Sequence, residues 1–502
     1  MTSDDRAAPE RTTTDIDVGA LHGRAAELFA DGHRLALVAA HHDPDAIRVV
    51  YLFTAASPDR RTELQIRLDP DRPAVPSLAA LSFPAGRFER EMRDLYGVVP
   101  EDHPLPRRLV RHHHWPRGWY PMRADAGPPP EFGDPEGPYP FVNVEGPGVY
   151  EIPVGPVHAG MIGPGHFRFS AVGESILKLK ARLWFVHRGL EKLFHGRAPA
   201  DALPIAERVS GDTTVGHALA FCMAVEEATG VEVSPGARRM RAMLLELERL
   251  YNHVTDLGAL CNDVAHSILN SQFGRVREQL LRLNAEVTGH RLLRGGVVLG
   301  GAAVRAVPAP ERLTAIAEDA AELADLALSH TVVADRFTGT AELPAQAARD
   351  LGTLGYVARA SGLDTDARRD HPFTDLRPAL RVSTRTTGDV LARFQVRAEE
   401  IAVSAAIIKD LAYGMSPGAV TYWPPLEPLK GPASGVGVVE GWRGTIVHRV
   451  ELAPDGTLTR GKVVDPSFFN WPALPIALNG VIVPDFPLVN KSFNLSYAGN
   501  DL

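Results

Sequence analysis

Two short segments place polar side chains three residues apart at what read as helix starts. RVSGDTTVGHALA (208–220) carries Ser210 and Thr213 at i and i+3, and DPSFFNW (465–471) repeats the pattern with Ser467 and Asn470. Side chains at that spacing converge on one point. Thiolates there would hold a soft transition metal, whereas hydroxyls and an amide hold one poorly. The competing reading makes Ser210, Thr213 and Ser467 helix caps that satisfy free N–H groups.

Other segments carry chemistry-bearing residues. GPVHAGMIGPGHFR (155–168) holds His158, His166 and Arg168 in a loop rich in Gly and Pro. It is either a place where backbone approaches a ligand or partner closely, or a tight turn with exposed histidines. VHRGLEK (186–192) sets His187, Arg188 and Glu191 at a helix start. The set either orders a charged neighbour or forms a solvated Arg–Glu pair of little worth. Asp263 and His266 fall at i and i+3 late on a helical pattern over 237–269. His112, His113 and His114 are consecutive, so on an extended chain they point alternately to opposite sides and do not chelate one ion together.

These residues need elements to hold them. RLALVAAHH, AIRVVYLFTAA and TELQIRL read as strands, and PSLAALSFPAGRFEREMRDLYGV as two short helices. With the extended, Pro-rich tail that follows, they make a small α+β domain over 15–123, preceded by a disordered lead, 1–14. Residues 124–140 are a Pro/Gly-rich acidic linker. The second domain, 141–502, opens with strand-like pieces and becomes strongly helical. One long helix is expected over 237–269, with apolar residues at Met240, Met243, Leu244, Leu247, Leu250, Val254, Leu257 and Leu260. Three more helices follow, over 276–293, 311–330 and 389–412, and then a hairpin turning at Pro454-Asp455-Gly456. The fold class is α+β: a small N-terminal α/β domain, then a mostly helical domain with small β-sheets.

Bulk properties narrow the function. A length of 502 residues suits two or three domains, and a net charge of −8 argues against a nucleic-acid partner. Cys222 and Cys261 are the only cysteines and form no CxxC cluster, so this chain by itself holds neither zinc nor an iron–sulfur cluster. No run approaches a membrane span, so any membrane link comes through partner proteins or a docking surface. No glycine fingerprint for a dinucleotide follows a strand, so NADH would bind another subunit.

Taken in order, the motifs carry a family resemblance. GPVH…GHFR, VHRGLEK, ER-x-SGDTxxGHALA…AVE, LLELERLYNHVxDLG and DPSFxNWP…VPDFPLxNKSF resemble the large subunit of energy-converting nickel–iron hydrogenases of the formate hydrogenlyase type. They equally resemble the quinone-site subunit of respiratory complex I. The first module is similar to the complex I subunit often fused ahead of that one, through Glu89, Arg90, Glu91, Asp94, Gly97, His103, Pro104, Arg107 and Arg108.

The departures from the pattern decide what the resemblance implies. The four cysteines that hold nickel and iron in the hydrogenases fall on Ser210, Thr213, Ser467 and Asn470, which implies no NiFe centre and no H2 chemistry. The proton-gating Glu falls on Gly163. The quinone-binding Tyr of complex I falls on Gly211, and a cluster-adjacent His on Leu293. Its loop His corresponds to His158 or His166, and the acid paired with that His to Asp263, so these three are the implied proton relay. Arg188 matches the Arg beside the terminal cluster. The pattern best resembles the cysteine-less, energy-converting hydrogenase-related complexes. The implied protein is a peripheral subunit on the cytoplasmic side of the cell membrane. It binds no cofactor itself, and an iron–sulfur cluster sits in a partner small subunit, beside antiporter-like membrane subunits and other hydrophilic subunits. It would couple electron transfer to ion translocation. The alternatives are a non-catalytic scaffold bridging the iron–sulfur protein and the membrane arm, and a quinone-site subunit of the NADH-quinone oxidoreductase type.

Overall fold

The apolar runs of the first module form strands Arg34–His42, Ile47–Ala55 and Arg60–Leu68, joined as an antiparallel meander. The computed structural model describes residues 10–502 apart from 57, 134–136, 138, 161 and 425–427. A fourth strand, Glu10–Asp15, adds in parallel to Arg60–Leu68. This corrects the disordered lead over 1–14, of which residues 1–9 lie outside the described ones. Three β-branched threonines favour the extended chain. Arg11 then ties it down through Glu63, Glu227 and the Ser434 hydroxyl.

The two short helices expected over 76–98 are instead a turn and one helix, Phe83–Tyr96. Glu89 explains the difference. Its carboxylate reaches back to accept from the Ser77 hydroxyl and the Leu78 N–H, both at 2.6 Å, and holds that stretch out of helical geometry. Gly97, at φ 79°, ends the helix in the left-handed region that glycine adopts without cost.

In the second module, Val149–Val154, His166–Val172 and Ser175–Arg182 form an antiparallel meander. The helix expected over 237–269 stops at Asp263, as Pro235–Asp263, and the one expected over 276–293 begins earlier, as Ser267–Thr288. Ala265, at φ 65°, turns the chain, and the His266 N–H returns to the Cys261 carbonyl at 2.9 Å. The His266 ring caps the second helix, so Asp263 and His266 do not share one helix face. Helices Pro310–Ser329 and Val390–Ala412 complete the bundle. Among the described residues no helix is long and apolar enough to cross a membrane.

The expected hairpin, Gly444–Leu452 and Leu458–Val464, gains a third strand, Ala433–Gly441. Its glycines pull helix Thr214–Thr229 onto the sheet. A Cβ at Gly435 or Gly437 would lie 1.9 Å from the carbonyl oxygen of Ala224 or Ala220. That contact holds the start of the helix beside the Trp442–Arg443 turn. The two modules also share a core: Tyr51, Phe53 and Phe88 belong to one buried cluster with Val438, Val447 and Phe468. Phe88 stacks on Phe468 with ring centroids 4.6 Å apart.

Candidate functional site

Ser210, Thr213, Ser467 and Asn470 are all buried, at 3%, 1%, 0% and 0% exposure, and each is already hydrogen-bonded to protein. Ser496 joins the two segments. Its hydroxyl lies 2.8 Å from the Ser210 hydroxyl, and its N–H donates to the Ser467 hydroxyl at 2.9 Å. Asn470 accepts from the Leu354 N–H at 2.8 Å and donates to the Leu354 carbonyl at 3.1 Å, so its amide closes on one backbone residue.

None of these side chains is the cap that the sequence suggested. Glu248, from the long helix, receives the Val215 and Gly216 N–H groups at 2.6 and 3.0 Å and takes the start of helix Thr214–Thr229. Asp465 caps helix Pro466–Asn470 by accepting from the Ser467 N–H at 2.7 Å.

The centre of the array is Asp212. Arg443 donates to both of its carboxylate oxygens at 2.7 Å, and the Ser210 and Thr213 hydroxyls donate to Oδ1 at 2.8 and 3.0 Å. Burial would raise this acid. The guanidinium and the two hydroxyls outweigh it and hold Asp212 at about 2. The Trp442 indole and the Asn252 amide donate to the Asp212 carbonyl at 3.0 and 2.8 Å.

Behind it runs a buried chain of titratable groups. Asp465 Oδ2 lies 3.0 Å from His217 Nε2, and His217 Nδ1 lies 3.0 Å from His448 Nε2. Burial would raise Asp465, but the hydrogen bond and charge of His217 bring it below the ordinary carboxylate range. Burial and the neighbouring His217 push His448 well below the usual histidine value. The ionised Asp465 makes His217 Nε2 a donor. In neutral His217, Nδ1 then accepts from His448 Nε2–H. With a second proton on His217, Nδ1–H donates to His448 Nε2, and His448 then carries its own proton on Nδ1 instead, so the chain has two hydrogen-bonded states that differ in the His448 tautomer. Sequence reasoning noted GHALA and DPSFFNW but did not single out His217 or Asp465 within them; Arg443, His448 and Ser496 carried no local signal.

The implied relay is not assembled. His158 Nε2 is 2.8 Å from the Gly165 carbonyl, and His166 Nδ1 is 3.1 Å from that of Gly155, so both histidines bond within their own loop. Asp263 ends its helix, raised by burial and faced by Lys491 and Asn262. Among the described residues no hydrogen bond or ion pair joins Asp263 to either histidine, and one nitrogen of each ring is held by a carbonyl of its own loop. Gly163 packs against Tyr497, whose ring a Cβ would meet at 2.8 Å. Gly211 is exposed, and a Cβ there would meet nothing within 4 Å. Leu293 is buried at φ 59°.

Arg188 does not pair with Glu191. Its guanidinium donates to the Arg208 and Val209 carbonyls at 3.1 and 2.8 Å, fixing the chain just ahead of Ser210. Glu191 turns inward to Arg460 and Lys462. Arg188 and His187 line a cavity of about 600 Å³ together with Trp115, Trp119 and Trp184. His112 bonds the Trp184 carbonyl at 3.0 Å.

The donor set does not fit a nickel–iron centre. Such a site needs four soft thiolates, and these positions supply two serines, a threonine and an amide that already serve the protein. Cys222 and Cys261 are buried elsewhere, and burial raises the thiol of both, Cys261 to about 12.

Comparison with known proteins agrees with this architecture. Residues 20–131 match the family described as respiratory-chain NADH dehydrogenase, 30 Kd subunit, and residues 263–428 match its 49 Kd subunit. Residues 188–261 match nickel-dependent hydrogenase. Formate hydrogenlyase subunit 5 of Escherichia coli is 32% identical over 87% of this chain and 79% of its own length. Hydrogenase-4 component G of the same organism is 33% identical over 86% and 77%. The C/D subunit of NADH-quinone oxidoreductase from Phocaeicola vulgatus is 29% identical over 74% and 76%. A chain of the archaeal membrane-bound sulfane sulfur reductase shares the fold, with a TM-score of 0.62 at 24% identity over 70% of this chain and 98% of that one.

Proposed function

Because this chain belongs to the family of formate hydrogenlyase subunit 5 and hydrogenase-4 component G, we propose that it is a subunit of a membrane-bound, complex I-like oxidoreductase without a NiFe centre. It packs against an iron–sulfur small subunit on the Arg188 side and couples electron transfer there to ion translocation by antiporter-like membrane subunits, from the cytoplasmic face. One observation carries the reading: the four ligand positions are Ser210, Thr213, Ser467 and Asn470, each committed to hydrogen bonds inside the protein.

The protonic part of this reading falls to Asp465, His217 and His448 rather than to His158, His166 and Asp263. A charge arriving beyond Arg188 alters the field at Arg443 and Asp212, and a buried, two-state hydrogen-bond chain behind them responds by moving a proton. Metal analysis of the purified complex tests the first half, with no stoichiometric nickel and no H2 evolution from reduced ferredoxin expected. Nickel near one atom per chain would sink it.

The scaffold reading has an observation of its own. Arg443, Asp212 and the three serines close on one another, as a filled site would. Under that reading, substitutions at His217 and Asp465 leave turnover and ion transport unchanged in an assembled complex.

A further inference from the structure

Away from this site, the arginines of the first module converge on a concavity of about 370 Å³. Arg93 and Asp94 enter from helix Phe83–Tyr96, Arg108 and Arg111 from the loop after it, and Arg117 and Tyr120 from further along. The size is that of a small-molecule site. The chain as a whole has a net charge of −8, so the basic cluster is a local feature.

Three of the guanidiniums are bonded to carbonyl oxygens. Arg93 donates to Pro106, Arg108 to His112 and Trp115 at 3.0 and 2.9 Å, and Arg111 to Pro116 and Trp119 at 3.2 and 2.6 Å. A carbonyl satisfies an N–H but does not cancel a charge. Among the described residues no carboxylate forms an ion pair with Arg93, Arg108 or Arg111. One acid lines the concavity: Asp94 accepts the backbone N–H groups of Leu109, Val110 and Arg111 on Oδ2 at 2.8, 2.8 and 3.1 Å and keeps its charge, which offsets one guanidinium and leaves the arginines in excess. Arg111 is 5% exposed, and its Nε is buried with no acceptor. Burial lowers its pKa; Asp94 opposes the shift, and the like charges of Arg108 and Arg93 add to it.

We propose that this concavity binds a phosphate group. A carboxylate offers two oxygens in one plane and a single charge. Guanidiniums arriving from a helix and from two points of a loop match a tetrahedral dianion, whose oxygens each take a charge-assisted hydrogen bond. The orphaned Arg111 Nε is one donor such an anion would satisfy. Both a free phosphate monoester and the phosphomonoester headgroup of phosphatidic acid carry this chemistry.

The test uses the full chain at low salt with two probes, pyrophosphate in solution and vesicles containing phosphatidic acid. Calorimetry is expected to show one saturable pyrophosphate site, weakened at least tenfold in Arg93→Gln. Among the described residues that side chain's one hydrogen bond is to the Pro106 carbonyl, so the unfolding midpoint should hold. Arg108→Lys keeps the charge and guards against a folding defect; it should weaken binding less than Arg93→Gln. Arg67→Gln, in a different cleft, is expected to bind as the wild type does. Binding to vesicles with none to pyrophosphate, abolished by the same Arg93→Gln change, assigns the site to a headgroup. Saturation with neither probe, or binding equal in Arg93→Gln and wild type, overturns the proposal, as does binding of an acidic peptide in place of both.

Discussion

Arg443 grips Asp212 through two parallel bonds of 2.7 Å, and Asp212 Oδ1 in turn accepts the Ser210 and Thr213 hydroxyls. The pairing is bidentate, so it fixes direction as well as charge. Arg443 also donates to the Thr213 hydroxyl at 3.3 Å and to the Asn494 carbonyl at 2.6 Å. Replacing it with Ala takes the guanidinium from the Asp212 carboxylate, which keeps the Ser210 and Thr213 hydroxyls, and the donor from the Asn494 carbonyl. Asp212 keeps 38% of its side-chain surface exposed, so water recovers part of the loss. A cost of about 1–2 kcal/mol is expected in denaturant unfolding, with Arg443→Lys recovering less than half because a point charge cannot make both bonds.

Ser496 is the hinge between the two segments. Its hydroxyl lies 2.8 Å from that of Ser210 and accepts the Gly499 N–H at 2.9 Å. Ser496→Ala removes a buried partner from both, and a loss of about 1–2 kcal/mol is expected, with Ser496→Thr closer to wild type. If Ser210→Ala and Ser496→Ala prove additive in a double-mutant cycle, the two hydroxyls do not act as a unit and the bridge has no energetic content.

Much of the architecture was legible because it rests on local pattern. The runs at 34–42 and 47–55 are largely apolar, that at 60–68 partly alternates polar and apolar residues, and all three are strands. What escaped was decided by contacts distant in sequence. Residues 10–14 are polar and unremarkable until Arg11 meets Glu63 and Glu227. The single residue Ala265 ends a helix whose apolar spacing continues past it. At the site, the i and i+3 positions marked the right segments, but the caps there are Glu248 and Asp465, one of them 33 residues from the N–H it receives. The implied His–Asp relay was placed by alignment, which orders residues along a chain; in the fold one ring nitrogen of each loop histidine bonds a carbonyl of its own loop, Gly165 or Gly155.

Asn470 tests how firmly the site excludes an acid. Its amide both accepts from and donates to Leu354 at full burial. Asn470→Asp would set a carboxylate oxygen against the Leu354 carbonyl, so the acid must protonate or lose the contact. The variant is expected to lose about 2–4 kcal/mol at neutral pH and to regain part of it as pH falls through the raised pKa of the new carboxyl. A variant equally stable at pH 8 and pH 5 would contradict the burial of this position.

Acid should weaken the fold in a definite window. Burial pushes His253 down to about 4 against the pull of Glu400, whose Oε2 lies 2.8 Å from its Nε2. The folded value lies below the unfolded value of about 6.5, so the unfolded chain takes up the proton first. Stability from this group is complete above about pH 6.5 and declines as pH falls from there toward 4, by on the order of 3 kcal/mol. His253→Gln should lower stability at pH 7.5 yet flatten the profile between pH 6.5 and 5. A slope unchanged by the substitution would remove His253 as its source.

The last prediction separates the two proton routes. His217 touches Asp465 and His448 at 3.0 Å each, whereas Asp263 faces Lys491 and Asn262 and neither loop histidine. If coupled proton movement runs through the chain behind Asp212, His217→Gln and Asp465→Asn should lower ion transport per electron at least tenfold. Both can preserve a hydrogen bond, so the fold should persist. Electron delivery to the iron–sulfur partner should change little, because neither residue lies on the Arg188 face. Asp263→Asn should stay within about twofold of wild type on both readouts. Equal losses of electron delivery and transport would point to a damaged site instead. A coupling defect seen in Asp263→Asn and absent from His217→Gln would return the relay to the loop.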